Sequence, residues 1–417
     1  MIKFLKKNFS VVENKDIFFL IVLFFFPLSL ILGNLIINLF FILSLISFFI
    51  NFNESSKYLK NKIIVLLFFF FLSLIINVFF SLNPLNSLPR AIKIILVIAF
   101  VIETSRLINK YNFDLMKNIF KIWALFFFVI LLDSFFEIFF GFNTIGMKST
   151  LSTRVASFFG DELVVGAFIH GFALFFISYL FFIKTNKNIF MLCVLIILIG
   201  SFLIGERSNF LKLFVSMVIF GMIAINFSKL NKILSLLFVL TCITTIVTFN
   251  ENMKFRYYYE LSGLFEKNGI QKFYKGSQYG AHQNTALKIF KDFPVFGVGL
   301  KNFRYESNKE KYANEEYAQT NARSANHPHQ IHFEFLSETG LFGYISFITF
   351  ILISLIISIN SYFKTKNIFQ LSAIIFIISS LIPILPSGSF LSTFNSSIFW
   401  INFAVMAGFN QNSKFKF

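Results

Sequence analysis

Charged side chains are scarce in this sequence: 14% of its 417 residues are Asp, Glu, Lys or Arg, whereas 56% are hydrophobic. A water-soluble domain of this size could not bury so much apolar surface, so the low charge argues against an ordinary soluble fold. A lipid bilayer is the solvent that such a chain requires, since about 20 consecutive apolar residues make one helical span. The sequence therefore predicts an all-α, polytopic membrane protein.

Cysteine is also nearly absent. The two cysteines, Cys193 and Cys242, lie in apolar runs, away from any cluster of histidine or carboxylate residues. This placement argues against a disulfide framework and against a zinc knuckle. The sequence also lacks an evident cleavable signal peptide. Its first apolar run follows the lysine-rich segment Met1–Asp16 and has the pattern of a retained span.

Acidic residues are fewer than basic ones, 20 against 37, which gives a formal net charge of +17. The basic residues lie between apolar runs and do not line one face of a soluble domain. Membrane proteins use Lys and Arg in this way to set their orientation. We therefore expect membrane lipid, and not nucleic acid, to surround or contact this chain.

The apolar runs predict twelve spans, the first two joined by a tight turn at Gly33–Asn34. The spans define an N-terminal transmembrane bundle of about nine spans at 1–249, one large loop at 250–337, and a C-terminal bundle of about three spans at 338–417. The predicted spans are 17–32, 35–50, 63–81, 90–108, 118–140, 162–183, 188–204, 208–226, 231–249, 338–360, 368–385 and 391–408.

The distribution of basic residues predicts the orientation of these spans. Cytoplasmic loops carry an excess of Lys and Arg, and this rule places both termini in the cytoplasm and the large loop in the periplasm of a bacterial inner membrane. The short outer connections hold few basic residues, namely Lys148, Arg154 and Arg207. The predicted inner positions hold Lys57, Lys60, Lys62, Arg106, Lys110, Lys117, Lys184, Lys187, Lys229, Lys232, Lys364, Lys366, Lys414 and Lys416.

Three of the five histidines, His327, His329 and His332, fall within six residues at the predicted outer mouth of the tenth span. Pro328 suits the first turn of a helix, because its missing N–H needs no partner there. On such a helix His329 and His332 would share a face. The histidines could supply a general base near neutral pH. Their spacing also resembles a metal-ligand pattern, and interfacial anchoring is a third interpretation.

Topology does not require the outer arginines, so Arg207 and Arg154 need another explanation. A guanidinium group offers a fixed fork of donors that matches phosphate oxygens. An ion pair between Arg207 and Glu206 is the structural alternative, and interfacial anchoring is another. In the large loop, 286–294 predicts a short amphipathic helix of the kind that lies on a bilayer surface. The turn at 297–299 allows close approach of the backbone to a ligand.

These residues resemble a known family. His329, Leu336, Glu338, Gly340 and Gly343 resemble the His-to-Gly signature of the O-antigen ligase and O-antigen polymerase superfamily. The Gly297-Val298-Gly299-x-x-Asn-Phe segment is similar to the Gly-x-Gly-x-x-Asn-Phe element that precedes this signature in the family. Arg207 with Ser208 resembles the Ser-Arg type of turn in the family. The resemblance covers most of the chain and is sharpest from about Gly205 to Gly343.

The resemblance implies a metal-independent, inverting glycosyltransferase of the multispanning type that needs no cofactor. It would move a glycan from an undecaprenyl diphosphate carrier to a hydroxyl of lipid A core, or to another glycan acceptor. His329 would act as the catalytic base. The diphosphate would be held by Arg207 and neighbouring arginines, which include Arg154. The arginine that the family has before Ala286 is not present here, and the candidates to replace it are Lys275, His282 and Arg304. Gln330 replaces an Asn of the signature.

Three alternatives remain at the level of sequence. A polymerase that joins carrier-linked repeat units belongs to the same superfamily, and the single large loop favours the ligase over it. A transporter of a small anion would need ionisable residues within the spans, for which Asp133, Glu137, His170 and Lys212 are the candidates. A purely structural role predicts that His329 and Arg207 can be replaced without consequence.

Overall fold

The structure is a computed structural model and describes residues 12–111, 113–160, 162–225, 229–383 and 385–411. These residues form helices and contain no strand. Five helices are long and apolar enough to cross a membrane, or up to seven if each of two bent pairs is counted as one span. The all-α class is therefore confirmed and is consistent with a polytopic membrane protein, whereas the count of twelve spans and the large outer loop stay predictions.

The helices follow one another along the chain, mostly with short connections; longer connections occur at 141–164 and around the large loop. Short 3-10 helices occur at Asn14–Asp16, Ser56–Lys60, Ser157–Phe159, Gly263–Phe265, Glu310–Tyr312, Thr320–Ala322 and Phe409–Gln411, and a π-helix at Phe255–Tyr259. The α-helices are Ile17–Phe24, Phe26–Leu32, Asn34–Ile50, Phe52–Ser55, Lys62–Phe79, Pro84–Lys110, Phe113–Phe140, Val165–Phe182, Lys187–Leu203, Arg207–Ala224, Lys229–Phe249, Glu251–Lys254, Glu260–Ser262, Gly269–Gly276, Gln278–Asp292, Phe303–Glu306, Ile331–Thr365, Ile368–Ser380 and Thr393–Gly408.

The predicted first span, 17–32, is not one straight helix. It bends by 55° between Phe24 and Phe26. Pro27 lies in the first turn of the second piece, and its ring nitrogen cannot donate to the carbonyl of Leu23. The indole N–H of Trp123 donates to that carbonyl instead, at 2.7 Å. A proline thus bends the helix, and a side chain from another helix satisfies the freed acceptor.

Phenylalanine occurs both inside the bundle and on its surface. Phe19 and Phe41 pack edge to face against Phe100, with ring centroids 5.8 and 5.2 Å apart. Phe69 and Phe79, by contrast, are exposed, as expected for side chains that face lipid. The residue therefore both fills the core and covers the surface of the helices.

Two basic residues assigned to an inner loop by their sequence lie in an ion-pair network. Arg106 is buried and contacts Asp16 at 2.7 Å and Glu103 at 2.8 Å. Lys110 contacts Asp16 at 3.0 Å and Glu54 at 3.0 Å. These contacts join the start of the first helix to the end of Pro84–Lys110. Lys3, Lys6, Lys7, Lys414 and Lys416, and the side chains of Lys229 and Lys232, lie outside the residues that the structure describes.

The predicted amphipathic helix at 286–294 is real but begins earlier, at Gln278, and its apolar face is covered by the loop itself. Ala286 and Ile289 are fully buried and pack with Val298, Phe303 and Tyr312 in a small core of their own. The interpretation of this helix as a bilayer-surface helix is therefore wrong. Its apolar face lies against protein because the loop folds back over it.

Candidate active site

Two glycine-containing segments, 294–299 and 337–342, are paired through their backbones. Four hydrogen bonds with N···O distances of 2.8–3.0 Å join them, two on each side of Gly340. Gly340 lies at a break inside the helix Ile331–Thr365, with φ +61° and ψ −166°. The break exposes backbone groups that a continuous helix would use internally, and the 294–299 segment binds them.

Glycine is required at two of these positions by the close approach of the chains. Gly340 has positive φ, and a Cβ atom there would overlap the backbone of Val295. A Cβ atom at Gly297 would overlap the backbone between Glu338 and Thr339. The two glycine elements of the sequence thus hold each other in place, and their contacts are with protein backbone.

We expect Gly340→Ala to destabilise the protein strongly. A residue with a side chain in this backbone conformation costs about 1–3 kcal/mol, and the overlap with Val295 adds to that cost. The apparent unfolding temperature in detergent should fall, and glycosyl transfer should fall with it. Gly221→Ala is the matched control, because a Cβ atom there meets nothing within 4 Å. Equal unfolding temperatures for the two variants would contradict this role of Gly340.

Two buried carboxylates, Glu338 and Glu334, hold the turn that follows Gly299. Glu338 accepts from the backbone N–H of Lys301 at 2.7 Å. Glu334 accepts from the N–H of Phe390 at 2.8 Å and from the hydroxyl of Ser389. The ammonium of Lys301 donates to the same Ser389 hydroxyl at 2.6 Å. Glu338 is one of the signature residues, but the spacing of the signature does not predict its contact with the backbone of Lys301.

The helix after the histidines begins at Ile331, three residues later than the position of Pro328 suggests. Gln330 is its N-cap, and the side-chain oxygen accepts from the N–H groups of His332 at 2.7 Å and Phe333 at 3.0 Å. His329 lies before the cap with φ +55°. The prediction that Pro328 occupies the first helical turn is therefore wrong, because the amide of Gln330 satisfies the free N–H groups.

His329 and His332 do not share a helix face. The ring of His332 contacts the hydroxyl of Tyr344 at 3.1 Å and the carbonyl of Leu381 at 2.9 Å. Within the described parts of the chain, no group of three or more His, Cys, Asp or Glu residues is placed to hold a metal ion. The spacing His-x-His-x-x-His therefore does not bring its three side chains together.

His329 instead lies among three other rings. The ring centroid of His327 is 4.1 Å from that of His329, the centroid of His282 is 5.1 Å away, and that of Tyr279 is 5.4 Å away. His282 is fixed through Nε2, which lies 2.8 Å from the carbonyl oxygen of Ala322. His282 was a candidate for diphosphate binding, and the structure places it against the predicted base. The sequence analysis did not predict that His327 would pack against the ring of His329.

Burial, together with the neighbouring rings of His327 and His282, lowers the pKa of His329 to about 3. Burial, followed by the charges of Lys301 and nearby groups that include Arg304, also lowers the pKa of His327 to about 3. Arg304 therefore lies close to the histidines. A lowered pKa keeps an imidazole ring neutral, and the neutral form is the one that can accept a proton.

If the chain transfers a glycan, as the resemblance implies, the pH dependence of that transfer should reflect this lowered pKa. His329 stays in its neutral, proton-accepting form as the pH falls, so kcat/KM should remain nearly constant from about pH 8 down to about pH 5. An unperturbed histidine would lose half of the activity near pH 6.5. Initial rates at subsaturating donor measure the profile, and donor binding at each pH serves as the control. A midpoint near 6.5 that depends on His329 would contradict the buried environment.

A second group of basic residues, the arginine group, contains Arg207, Arg256 and Arg154. Arg207 donates through Nη1 to the carbonyl of Arg256 at 3.0 Å and contacts Glu260 at 3.0 Å. Arg256 is buried and donates through Nε to the carbonyl of Gly205 at 2.6 Å. Burial and the nearby charges of Arg154 and Arg207 lower the pKa of Arg256.

The expected alternative partner of Arg207 was Glu206, and the structure differs. Glu206 accepts from the N–H of Gly166 at 2.8 Å and from the amide of Asn209 at 2.6 Å. The Nε of Arg154 is buried and has no hydrogen-bond partner among the described residues. Of the sequence candidates, Arg154 and Arg207 thus lie in the arginine group, whereas His282 lies beside His329 and the charge of Arg304 acts on His327.

A short segment, 386–387, connects the two groups. The ammonium of Lys212, on the helix that starts at Arg207, donates to the carbonyl of Pro386 at 3.0 Å. The N–H of Ser387 donates to the carbonyl of His329 at 2.8 Å. A cavity of about 70 Å³ lies here, and its lining includes Asn209 and Lys212 as well as Ile331 and Ser387. The helix of Arg207 and the segment of His329 therefore border the same small cavity.

The fold and this arrangement are consistent with a polytopic membrane protein that has a histidine and arginine site. The model of the O-antigen ligase family matches residues 164–348, which include Arg207, the three clustered histidines and both glycine elements. This match supports the resemblance to the O-antigen ligase superfamily. No curated protein matched the chain. The family supports a ligase-like or polymerase-like activity of the glycosyltransferase type.

Proposed function

We propose that this protein transfers a glycan from undecaprenyl diphosphate to a hydroxyl of lipid A core at the periplasmic face of the bacterial inner membrane. The observation that carries the proposal is the position of His329. Its ring is neutral and lies beside the rings of His327 and His282. Its backbone carbonyl binds the 386–387 segment, and the same segment binds Lys212 on the helix of Arg207. Transfer of a glycan from a diphosphate carrier requires a proton acceptor and a set of fixed cationic donors.

In the proposed reaction, His329 accepts the proton of the acceptor hydroxyl while the hydroxyl oxygen attacks the anomeric carbon of the donor. The bond from that carbon to the diphosphate oxygen breaks, and the carrier diphosphate leaves with the electron pair. Direct displacement inverts the anomeric carbon. Negative charge on the leaving group grows in the transition state, so fixed guanidinium groups near a water-poor site accelerate the step.

Arg207 is the first candidate for contact with the diphosphate, with Arg154 beside it. Both described contacts of Arg207 use Nη1, which holds the guanidinium plane while the other nitrogens can bind phosphate oxygens. The unpartnered Nε of Arg154 offers a further donor. His282 packs against His329, and the charge of Arg304 acts on His327. We therefore propose that these two residues bind the acceptor or the departing phosphate. No cofactor or metal is needed for these steps.

The topology remains part of the proposal. Twelve spans would place both termini in the cytoplasm, the nine-span bundle at 1–249 before the loop, and the three-span bundle at 338–417 after it. The large loop, 250–337, would lie in the periplasm and carry His327 and His329 to the membrane surface. The small core of the loop and the backbone pairing at Gly340 support a loop that is fixed on the bundle.

The residues that a transporter would use within its spans are engaged in structural contacts. Asp133 accepts from Thr144 and Ser157, and Glu137 accepts from the N–H groups of Ala156 and Ser157. These contacts hold the connection that carries Arg154. His170 contacts the hydroxyl of Ser379 at 2.8 Å, and Lys212 donates to Pro386. Because all four candidates make structural contacts, the transferase is favoured over the transporter.

Reconstitution tests the function and separates ligase from polymerase. Purified protein in liposomes would receive undecaprenyl-diphosphate-linked glycan and lipid A core, without metal or nucleotide, and the products would be analysed by gel and mass spectrometry. The proposal predicts one mass shift of the lipid A core. Growth of the carrier-linked glycan into a ladder, with lipid A core unchanged, would assign the polymerase activity instead. No product from competent substrates would count against both.

A further inference from the structure

Residues 249–270 expose more large apolar side chains than a water-facing segment tolerates. Phe265 is 91% exposed, Phe249 83% and Ile270 76%, and Phe255, Tyr258 and Tyr259 are each more than half exposed. Each such side chain gains free energy when it leaves water. Several exposed large apolar side chains in one short segment mark a surface that binds something apolar.

The segment has two faces. On the inner face, Met253 is buried against Phe202 and Phe210, and the ring of Tyr257 packs on Phe202 with centroids 4.2 Å apart. Arg256 lies on the same inner side and donates to the carbonyl of Gly205. The inner face of the segment is therefore packed against the rest of the protein, so the exposure of the aromatic side chains on the outer face is not caused by a poorly packed segment.

We propose that 249–270 is a membrane-interface anchor whose exposed face binds the headgroup and upper acyl region of a phospholipid bilayer. The patch begins where the apolar helix Lys229–Phe249 ends, and that helix exposes Leu237 and Phe238 to the same surroundings. Aromatic side chains are enriched at the two interfaces of a membrane. A lipid surface is therefore the occupant that continues the surface of the preceding helix.

Basic residues stand beside the exposed apolar side chains. Lys267 and Lys272 are exposed next to Phe265 and Ile270, and the ammonium of Lys254 lies 5.9 Å from the ring centroid of Tyr259. Lysines at an interface keep their charge among headgroups while their methylene stems cover apolar surface. Glu251, Glu260 and Glu266 balance Lys254, Arg256 and Lys267 within the segment, so the exposed apolar side chains, and not a net charge, favour a lipid surface.

The anchor also carries part of the arginine group. The carbonyl of Arg256 accepts from Arg207, and Glu260 of the same segment contacts Arg207. The depth at which the anchor lies in the bilayer therefore fixes the position of Arg207 and Arg256 relative to the lipid headgroups. The inference stands on the exposed surface and does not depend on which substrate the protein uses.

Spin labels on the full-length protein in liposomes test the proposal. Cys193 and Cys242 are first replaced by Ala, and single cysteines are then introduced as Phe265→Cys, Ile270→Cys and, as the matched control, Glu315→Cys. Glu315 is exposed in the same loop, on a polar stretch. Liposomes contain phosphatidylglycerol and phosphatidylethanolamine. The measurement compares the collision rate of each label with oxygen, which concentrates in lipid, and with a water-soluble nickel chelate.

The anchor predicts higher oxygen than nickel accessibility at positions 265 and 270 and the reverse at 315. Higher nickel accessibility at 265 and 270 would show that the patch faces water and would overturn the proposal. Shielding of both labels from both reagents would show a protein contact, such as a second copy of this chain, and would overturn it as well. Two labelled positions guard against a local effect of either substitution.

Discussion

Replacing His329 with Ala should reduce glycosyl transfer by about 10²- to 10⁴-fold, the usual contribution of a positioned general base. The acceptor hydroxyl must lose its proton as it attacks, and in the proposed reaction the neutral ring of His329 accepts that proton. The protein should still insert in the membrane, since the ring lies outside the helix and Gln330 caps that helix independently. Initial rates with purified protein in liposomes, normalised to protein amount, measure the effect.

The control for this variant is another histidine in the same stretch. His332 contacts Tyr344 and Leu381 and is assigned no role in the reaction, so His332→Gln should change the rate by only a few-fold. Full activity of His329→Ala at normal expression would rule out His329 as the base. A loss as large in His332→Gln would indicate that the whole segment, and not one ring, controls the rate.

Replacing Arg207 with Lys should reduce transfer by about 10- to 100-fold, although the charge is kept. A charge-assisted hydrogen bond is worth about 1.5–3 kcal/mol, and a single ammonium cannot hold Arg256 and Glu260 while it also binds a phosphate in bidentate fashion. The loss should appear as weaker donor binding, a lower kcat, or both. Kinetics over a range of donor concentrations separate these effects.

Arg323→Lys makes the same chemical change outside both groups. Arg323 contacts Asn308 and Glu310 within the loop, so its replacement should cost far less activity. If Arg207→Lys kept full activity, the guanidinium fork would have no role and Arg207 would serve as a simple charge or anchor. A loss in Arg323→Lys that equals the loss in Arg207→Lys would point to loop stability as the common cause.

Sequence reasoning succeeded where one physical property dominates. The apolar runs predicted the all-helical fold with several apolar helices, and the signature around His329 and Gly340 agrees with the O-antigen ligase family model that matches residues 164–348. The bend near Phe25 was missed, although Pro27 gave a signal that could have indicated it. Proline inside an apolar run removes a backbone donor whatever the surroundings, so this error could have been avoided.

Other features depend on contacts that no local pattern encodes. The start of the helix at Ile331 is set by the side chain of Gln330, and the ring of His332 contacts Tyr344, a residue of the same helix twelve positions further on. The break at Gly340 exists because residues 294–299 bind the freed backbone groups. The burial of Ala286 depends on the fold of the loop. Periodicity showed the apolar face of that helix but not the surface that covers it.

Release of the carrier tests the central claim most directly. Liposomes that contain the protein, a glycan donor labelled in its undecaprenyl diphosphate part, and lipid A core would be followed for free undecaprenyl diphosphate, with His329→Ala in parallel. The account predicts that the wild-type protein releases one carrier diphosphate for each glycan transferred, only when acceptor is present, and that His329→Ala releases almost none. Equal release by both proteins, or glycan transfer without carrier release, would contradict it.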